Sequence, residues 1–495
     1  MRSRSPRLRC LAVAPLLTAT VLAVPATAAP LPTAGPYART AGPYAPASGP
    51  TGPAGVRVPG AEYTVSARLA DLTTTGTRLT GHTDPADWAG LEAPGTTTPS
   101  GVPGVQVDGY FPDSSTTNTN HGWRHDSQFV IRLPDDWNGG LVVAGPPGLR
   151  EQYANDRIIS DQVLARGYAY AATDKGNTGP EIHEDGERPG DAILEWHRRV
   201  TQLTVAAKAA AGRHYGRAPR STYAAGLSAG GYLVRWQLEH RPDLYTGGLD
   251  WNALTFTPGG GLLATLPPAL RAYPRHEQGD RTAAAELHAV GYPRGSEPQW
   301  GWHHARQWDL LQRVVREELD PDYDGAGRAG TPFCPAGTGA GCDTDYDFAS
   351  RPRAVHEAVA RVSLTGNIRR PLVSVQGSLD ALTPPAAFGD VYHRMVADAG
   401  RAALHRYRTV PGGAHTDGLV PLDADHLRPM LDDFTAALSD LEAWTRRPTP
   451  PCRPDGRTDA PAAVRRADTT ATTATNRRAG AIAATGRGDR TAATR

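Results

Sequence analysis

Lysine is almost missing from this 495-residue chain: of 52 Lys and Arg residues only Lys175 and Lys208 are lysine. That bias reads as the imprint of a GC-rich genome rather than an arginine surface built for polyanions. The formal net charge is only +1, and four arginines near the start and nine in the last 43 residues carry much of the positive side. The body between them is mildly acidic, so neither nucleic acid nor an anionic membrane is indicated as a partner. Long apolar runs are also lacking. No stretch approaches the 18 or so uninterrupted apolar residues of a spanning helix, so no membrane span is expected. The longest, Leu11 to about Val24, follows Arg2, Arg4, Arg7 and Arg9 and precedes Ala26-Thr27-Ala28. A basic head, a short apolar stretch and a small-x-small site predict an export signal over residues 1–28 and a secreted protein; an uncleaved anchor is the alternative. No Arg-Arg pair precedes the apolar run, which favours the general secretory route.

Cysteine is scarce, at four residues. Cys10 would leave with the signal. Cys334 and Cys342 lie in the loop FCPAGTGAGC, and after export that spacing predicts a local disulfide. Zinc is a poor alternative, because no further Cys or His with ligand spacing is near. Cys452 is left without an assigned partner.

Residues 29–60 are rich in Pro, Gly and Ala and read as a linker. Residues 453–495 have almost nothing to bury and read as a disordered tail. Between them, strand and helix signals alternate. Strands are expected at Val105–Phe111, Gln128–Leu133, Leu141–Ala144, Tyr168–Ala172, Tyr223–Leu227, Gly248–Trp251, Pro371–Gln376 and Leu404–Val410. Helices are expected at Ile158–Arg166, Ile193–Ala211, Ala229–His240 and about Leu427–Trp444. This pattern predicts an α/β fold with a mostly parallel central sheet flanked by helices, its core split into residues 61–256 and 368–450. Residues 257–367 break the rhythm and read as an inserted cap or lid.

The chemistry centres on Gly226-Leu227-Ser228-Ala229-Gly230. Gly-x-Ser-x-Gly alone would arise by chance about 0.3 times in a chain this rich in glycine. Its setting gives it weight: an apolar strand, TYAAGL, leads in, and a helical pattern, GYLVRWQLEH, leads out. A serine on such a sharp strand-to-helix turn is exposed above the sheet. The helix N-terminus favours negative charge there, and the Ala229 N–H would face an oxyanion. A serine hydroxyl needs a base. Asp380, just past PLVSVQ, and His415, in the Gly-rich loop after the last strand, follow in the order acid then histidine. Asp390 and Asp417 are weaker candidates for the acid. The second oxyanion donor should come from Ala144-Gly145-Pro146-Pro147-Gly148-Leu149; the prolines have no N–H, leaving Gly145, Gly148 or Leu149, with Gly148 taken forward. Trp251 is a candidate substrate wall together with Trp300, Trp302 and Trp308, against the alternative that these rings are core. His303 and His304 are candidate pocket residues, and His197 is expected to be structural.

Asp320, Asp322 and Asp324 match the start of a calcium loop, and Asp343, Asp345 and Asp347 form a second set. Thr331 stands at position twelve instead of Glu, so this is no EF-hand. One structural Ca²⁺ stiffening the cap is the sharper reading; a solvated acidic loop is the plainer one. No organic cofactor is implied.

The stretches DDWNGGLVVAGPPG, LARGYAYAATDKGNTG, HYGRAPRSTYAAGLSAGGYLVRWQ and RPLVSVQGSLDALTPP, with GGAHTDG, resemble the α/β-hydrolase superfamily. More narrowly they are similar to the secreted tannase and feruloyl-esterase-like branch. The resemblance implies ester hydrolysis through an acyl-enzyme, a cap that shapes substrate choice and, in some members, calcium in the cap. That branch typically joins a Cys before the nucleophile to a Cys after the histidine. Leu227 and Thr416 stand at those positions here, so the three residues would be held by packing alone, and a polyphenol ester is a less secure expectation than hydrolysis. The expected substrate is a small-molecule or polymeric ester. A peptidase on the same scaffold and a non-catalytic binding protein on a hydrolase frame are the alternatives. Oligomeric state has no signal in the sequence.

Overall fold

The computed structural model describes residues 55–115, 118–323 and 343–446. Nine strands form one sheet: β1 (Tyr63–Leu69), β2 (Gly104–Tyr110), β3 (Gln128–Pro134), β4 (Gly140–Ala144), β5 (Ala169–Thr173), β6 (Ser221–Leu227), β7 (Gly247–Trp251), β8 (Leu372–Gly377) and β9 (His405–Val410). Their order is β1-β2-β3-β5-β4-β6-β7-β8-β9. The β1/β2, β2/β3 and β3/β5 pairs are antiparallel, and every pair from β5/β4 to β8/β9 is parallel. The expected mostly parallel sheet is therefore present. The strand missed in the sequence, β1, is an edge strand with an exposed or half-exposed run, so it lacks the apolar alternation that marks a buried strand.

The helices are α1 (Thr74–Leu79), α2 (Asp161–Leu164), α3 (Asp191–His214), α4 (Ala229–His240), α5 (Leu262–Glu277), α6 (Arg281–Ala289), α7 (Glu297–His303), α8 (Asp309–Leu319), α9 (Arg353–Val362), α10 (Gly389–Asp398) and α11 (Leu431–Arg446). Strand alternation assigns them to faces. On one face Tyr223, Ala225 and Leu227 of β6 and Leu249 and Trp251 of β7 pack with Phe434, Leu438 and Leu441 of α11. On the other, α3 and α4 cover β4, β6 and β7. The helix expected at Ile158–Arg166 is instead a wide π turn over Asp156–Ser160 followed by α2. Both ends of that turn meet Arg132, whose guanidinium donates to Asp156 Oδ1 (2.9 Å), Asp156 Oδ2 (2.8 Å) and Ser160 Oγ (2.8 Å), all of them buried.

Residues between β7 and β8 form a helical insertion, α5 to α9, at the place where the sequence rhythm breaks. It grips the loop after β8: Gln299 Nε2 donates to Leu379 O (2.8 Å) and Trp308 Nε1 to Ala381 O (3.0 Å). No helix among the described residues is long and apolar enough to cross a membrane. Cys334, Cys342, Cys452, Asp324 and Thr331, with the expected signal, most of the linker and the tail, lie outside the described residues.

Beneath the strand ends, Arg235 of α4 meets Asp250 of β7 with two charge-assisted bonds of 3.0 and 2.9 Å. Ser374 Oγ donates to the same carboxylate (2.7 Å), Arg235 Nη1 donates to Thr255 Oγ1 (2.8 Å), and the guanidinium lies over the Tyr392 ring. Breaking a buried pair leaves an uncompensated charge. Asp250→Ala should lower unfolding free energy by about 3–5 kcal/mol, read as a shift in the urea midpoint.

Candidate active site

β6 ends at Leu227, and α4 begins at Ala229. Ser228, between them, has φ 57° and ψ −118°. A non-glycine residue held at positive φ is strained, at a cost of about 1–3 kcal/mol, and persists only where its surroundings enforce it. Here they do. A Cβ on Gly226 would collide with the backbone of Gly230, and a Cβ on Gly230 would collide with the carbonyl of Gly145. Both flanking glycines are thus needed for close approach, which draws the start of α4 against the turn after β4. Ser228 N donates to Trp251 O (3.0 Å), and Ser228 O accepts from Leu254 N (3.0 Å), so β7 and the chain beyond it brace the turn from the other side.

The structure brings Ser228, His415 and Asp380 together. His415 Nε2 lies 3.0 Å from Ser228 Oγ, and its Nδ1 lies 3.0 Å from Asp380 Oδ2. A carboxylate on Nδ1 makes that nitrogen the donor and leaves Nε2 to accept the serine hydroxyl proton. Asp380 is fully buried. Its Oδ1 accepts from Leu382 N (2.8 Å) and Thr383 N (2.9 Å), and its Oδ2 also accepts from Thr383 Oγ1 (2.7 Å). Burial pushes this carboxyl up, but His415 and these hydrogen bonds outweigh it and hold it below the ordinary carboxylate range. The two weaker acid candidates do not reach the histidine ring. Asp390 lies in α10, and Asp417 accepts from Met430 N (2.7 Å) and Leu431 N (3.0 Å), the start of α11.

Leu227 and Thr416, where the related branch has its cysteine pair, make separate contacts. Leu227 is buried in the core, and Thr416 Oγ1 donates to Gly90 O (2.8 Å). Packing is not alone in holding the histidine, however. Asn252, at φ 44° just past β7, donates to Ala414 O (2.7 Å) and His415 O (2.9 Å) and accepts from Gly377 N (2.7 Å). One side chain thus ties the ends of β7 and β8 to the histidine loop. The sequence reading passed over Asn252; its only signal was a polar residue at a buried strand end.

Ser228 opens on a small cavity of about 40 Å³. Ala229, Gly148 and Leu149 border it and Gly145 does not, so Gly148 and Leu149 remain the local choices for a second donor. Behind that loop sits Lys175, to which the sequence assigned no role. Its Nζ donates to Gly148 O (2.9 Å) and Pro146 O (3.3 Å) and lies over the Trp196 ring, and burial pushes its pKa down to about 7.

Several expected pocket residues are elsewhere. Trp251 is not a substrate wall: as the odd-numbered partner of Leu249 it points to the α11 face and packs on Phe434, away from the cavity. Trp300 and Trp308 are fully buried within the insertion against Tyr292. Trp302 and His304 are partly exposed and do not border the cavity. His303 is fully buried, stacked on Trp308, its pKa lowered to about 3 by burial and by His415. His197 is structural as expected, its Nε2 2.7 Å from Tyr232 OH in a buried niche.

The acidic residues that the structure describes are engaged by other partners or exposed, and Asp324 lies outside the described residues. Asp320 is taken by Arg351 (2.6 Å) and Tyr346 OH (3.0 Å), and Asp343 by Arg316 (2.9 Å). Asp322 is exposed, Asp345 accepts from Tyr323 OH and Asp347 from Ala349 N. Among the described residues no group of three or more His, Cys, Asp or Glu is arranged to hold a metal ion.

A mostly parallel sheet, a strained serine between strand and helix, and an acid and histidine on the loops after the last two strands define the α/β-hydrolase fold. The family model described as "Tannase and feruloyl esterase" matches residues 115–249, the stretch that contains Ser228, in agreement with the resemblance read from the sequence. Mono(2-hydroxyethyl) terephthalate hydrolase of Piscinibacter sakaiensis is 30% identical over 139 residues, 26% of this chain and 23% of that protein. The match thus spans about a quarter of the length of that relative. Among solved structures, feruloyl esterase B from Aspergillus oryzae is 13% identical with a TM-score of 0.43, covering 72% of this chain and 80% of that one. Tannin acyl hydrolase from Aspergillus niger is 13% identical with a TM-score of 0.42, covering 77% and 82%.

If Asn252 is the tie between the strand ends and the histidine loop, Asn252→Ala should loosen that loop first. Amide hydrogen exchange in residues 411–417 should accelerate at least tenfold, with smaller changes elsewhere in the sheet, and the melting temperature should fall by several degrees.

Proposed function

We propose that the chain is an exported serine hydrolase that cleaves carboxylic esters through an acyl-enzyme. The observation that carries this is the continuous hydrogen-bond sequence from Ser228 Oγ through the His415 ring to Asp380. Ser228 Oγ attacks the ester carbonyl while His415 Nε2 takes its proton. Asp380 holds the ring in the required tautomer and offsets the charge of the imidazolium. The oxyanion is stabilised by the Ala229 N–H at the start of α4 and by the Gly148 N–H across the cavity. Lys175, drawing the Gly148 and Pro146 carbonyls toward itself, sets the orientation of that loop. His415 then gives its proton to the departing alcohol. Water, activated by the same nitrogen, attacks the acyl carbon, and collapse of the second tetrahedral species frees the acid and Ser228.

The family match and the partial similarity to an ester hydrolase support ester bonds over peptide bonds. The same reading assigns residues 1–28 to an export signal, residues 257–367 to a cap over the site and Cys334–Cys342 to a disulfide. Ser228→Ala should lower kcat for p-nitrophenyl butyrate by at least a thousandfold without shifting the melting temperature downward. Undiminished turnover in that variant would remove Ser228 from its role.

A further inference from the structure

We propose that the cavity beside Ser228 is an acyl pocket for an aliphatic chain rather than for a phenolic ring; this rests on the ester-hydrolase reading. Three regions supply much of its apolar wall. The sheet side supplies Leu254 and Phe256, α3 supplies Ile193 and Trp196, and α8 of the insertion supplies Leu311, Val314 and Val315. Among the described residues, the only polar side-chain groups on this wall besides Ser228 are the Thr383 hydroxyl and the Trp196 indole N–H. Both are engaged: Thr383 Oγ1 donates to Asp380 (2.7 Å) and Trp196 Nε1 to Asn177 Oδ1 (2.5 Å). No charged side chain among the described residues borders the cavity. A ring hydroxyl placed there would lose its water and gain no partner among the described residues, which is costly, whereas each methylene buried against Leu and Val is gained in full.

The position of the cavity says which half of the ester it takes. The departing alcohol oxygen must receive its proton from His415, so the alcohol lies on the histidine side of the reacting carbon. His415 does not border the cavity, whereas Ala229 and Gly148, on the oxyanion side, do. The acyl group is therefore the half directed into it, and α8 sets its length limit.

Three kinetic comparisons test this, all as kcat/KM on the full exported chain. Among p-nitrophenyl esters from acetate to dodecanoate, the constant should rise about fourfold per added methylene through hexanoate, then level or fall. Methyl cinnamate should be preferred at least tenfold over methyl 4-hydroxycinnamate, which differs by one ring hydroxyl. Val314→Phe should lower the octanoate-to-acetate ratio at least tenfold; a ratio within one variant does not depend on how much of it is folded. Ser228-dependent hydrolysis with no rise from acetate to hexanoate, with the hydroxylated cinnamate ahead, or with an unaltered ratio in Val314→Phe would overturn the aliphatic pocket alone. Absence of hydrolysis across all these esters would overturn the ester-hydrolase reading and this inference with it.

Discussion

The contact between the backbones of Gly226, Gly230 and Gly145 is the constraint on which the site depends. It brings the start of α4 down onto the strand end and the turn after β4, closer than any side chain would permit. Ser228 is left at positive φ, with its hydroxyl above the sheet and the first N–H of α4 beside it. The strain of about 1–3 kcal/mol is offset by burial of the surrounding strands and helices. The turn after β4 thereby lands opposite the helix start, and the cavity mouth follows from that placement.

The histidine must then be delivered to this fixed point from a loop 187 residues further along the chain. The polar ties that do so are buried and nearly saturated. Asp380 meets four close partners, two N–H groups, a hydroxyl and the histidine ring, with Gln376 at longer range. Asn252 fastens the loop carbonyls, and Asp417 fastens the start of α11 to the same loop. Such networks fix a single geometry when each member is satisfied.

Much of this was legible in the sequence, for physical reasons. Buried parallel strands such as Leu141–Ala144 and Tyr223–Leu227 are short apolar runs closed by turn residues, and the order serine, acid, histidine follows from strand order. What escaped the sequence reading depends on contacts between distant segments. β1 is an edge strand without apolar alternation. The π turn at Asp156–Ser160 is tied at both ends to Arg132, which comes from β3. Trp251 looked like a pocket wall because it ends a strand beside the site, yet side-chain alternation sends it to the opposite face of the sheet. Asn252 and Lys175 gave little sign of their place, since a polar residue near a strand end has many uses. The partners of two acidic residues were equally hidden, since Arg351, which meets Asp320, and Arg316, which meets Asp343, come from elsewhere in the chain.

The central claim is that Ser228 is a nucleophile activated by His415, and the most direct test is covalent. The full chain should be treated with a fluorophosphonate and digested, and the adducts located by mass spectrometry. One phosphonate on the peptide containing Ser228 is predicted, formed at least a hundredfold more slowly in His415→Ala. Labelling at another serine, or labelling of Ser228 at an unchanged rate without His415, would contradict the account.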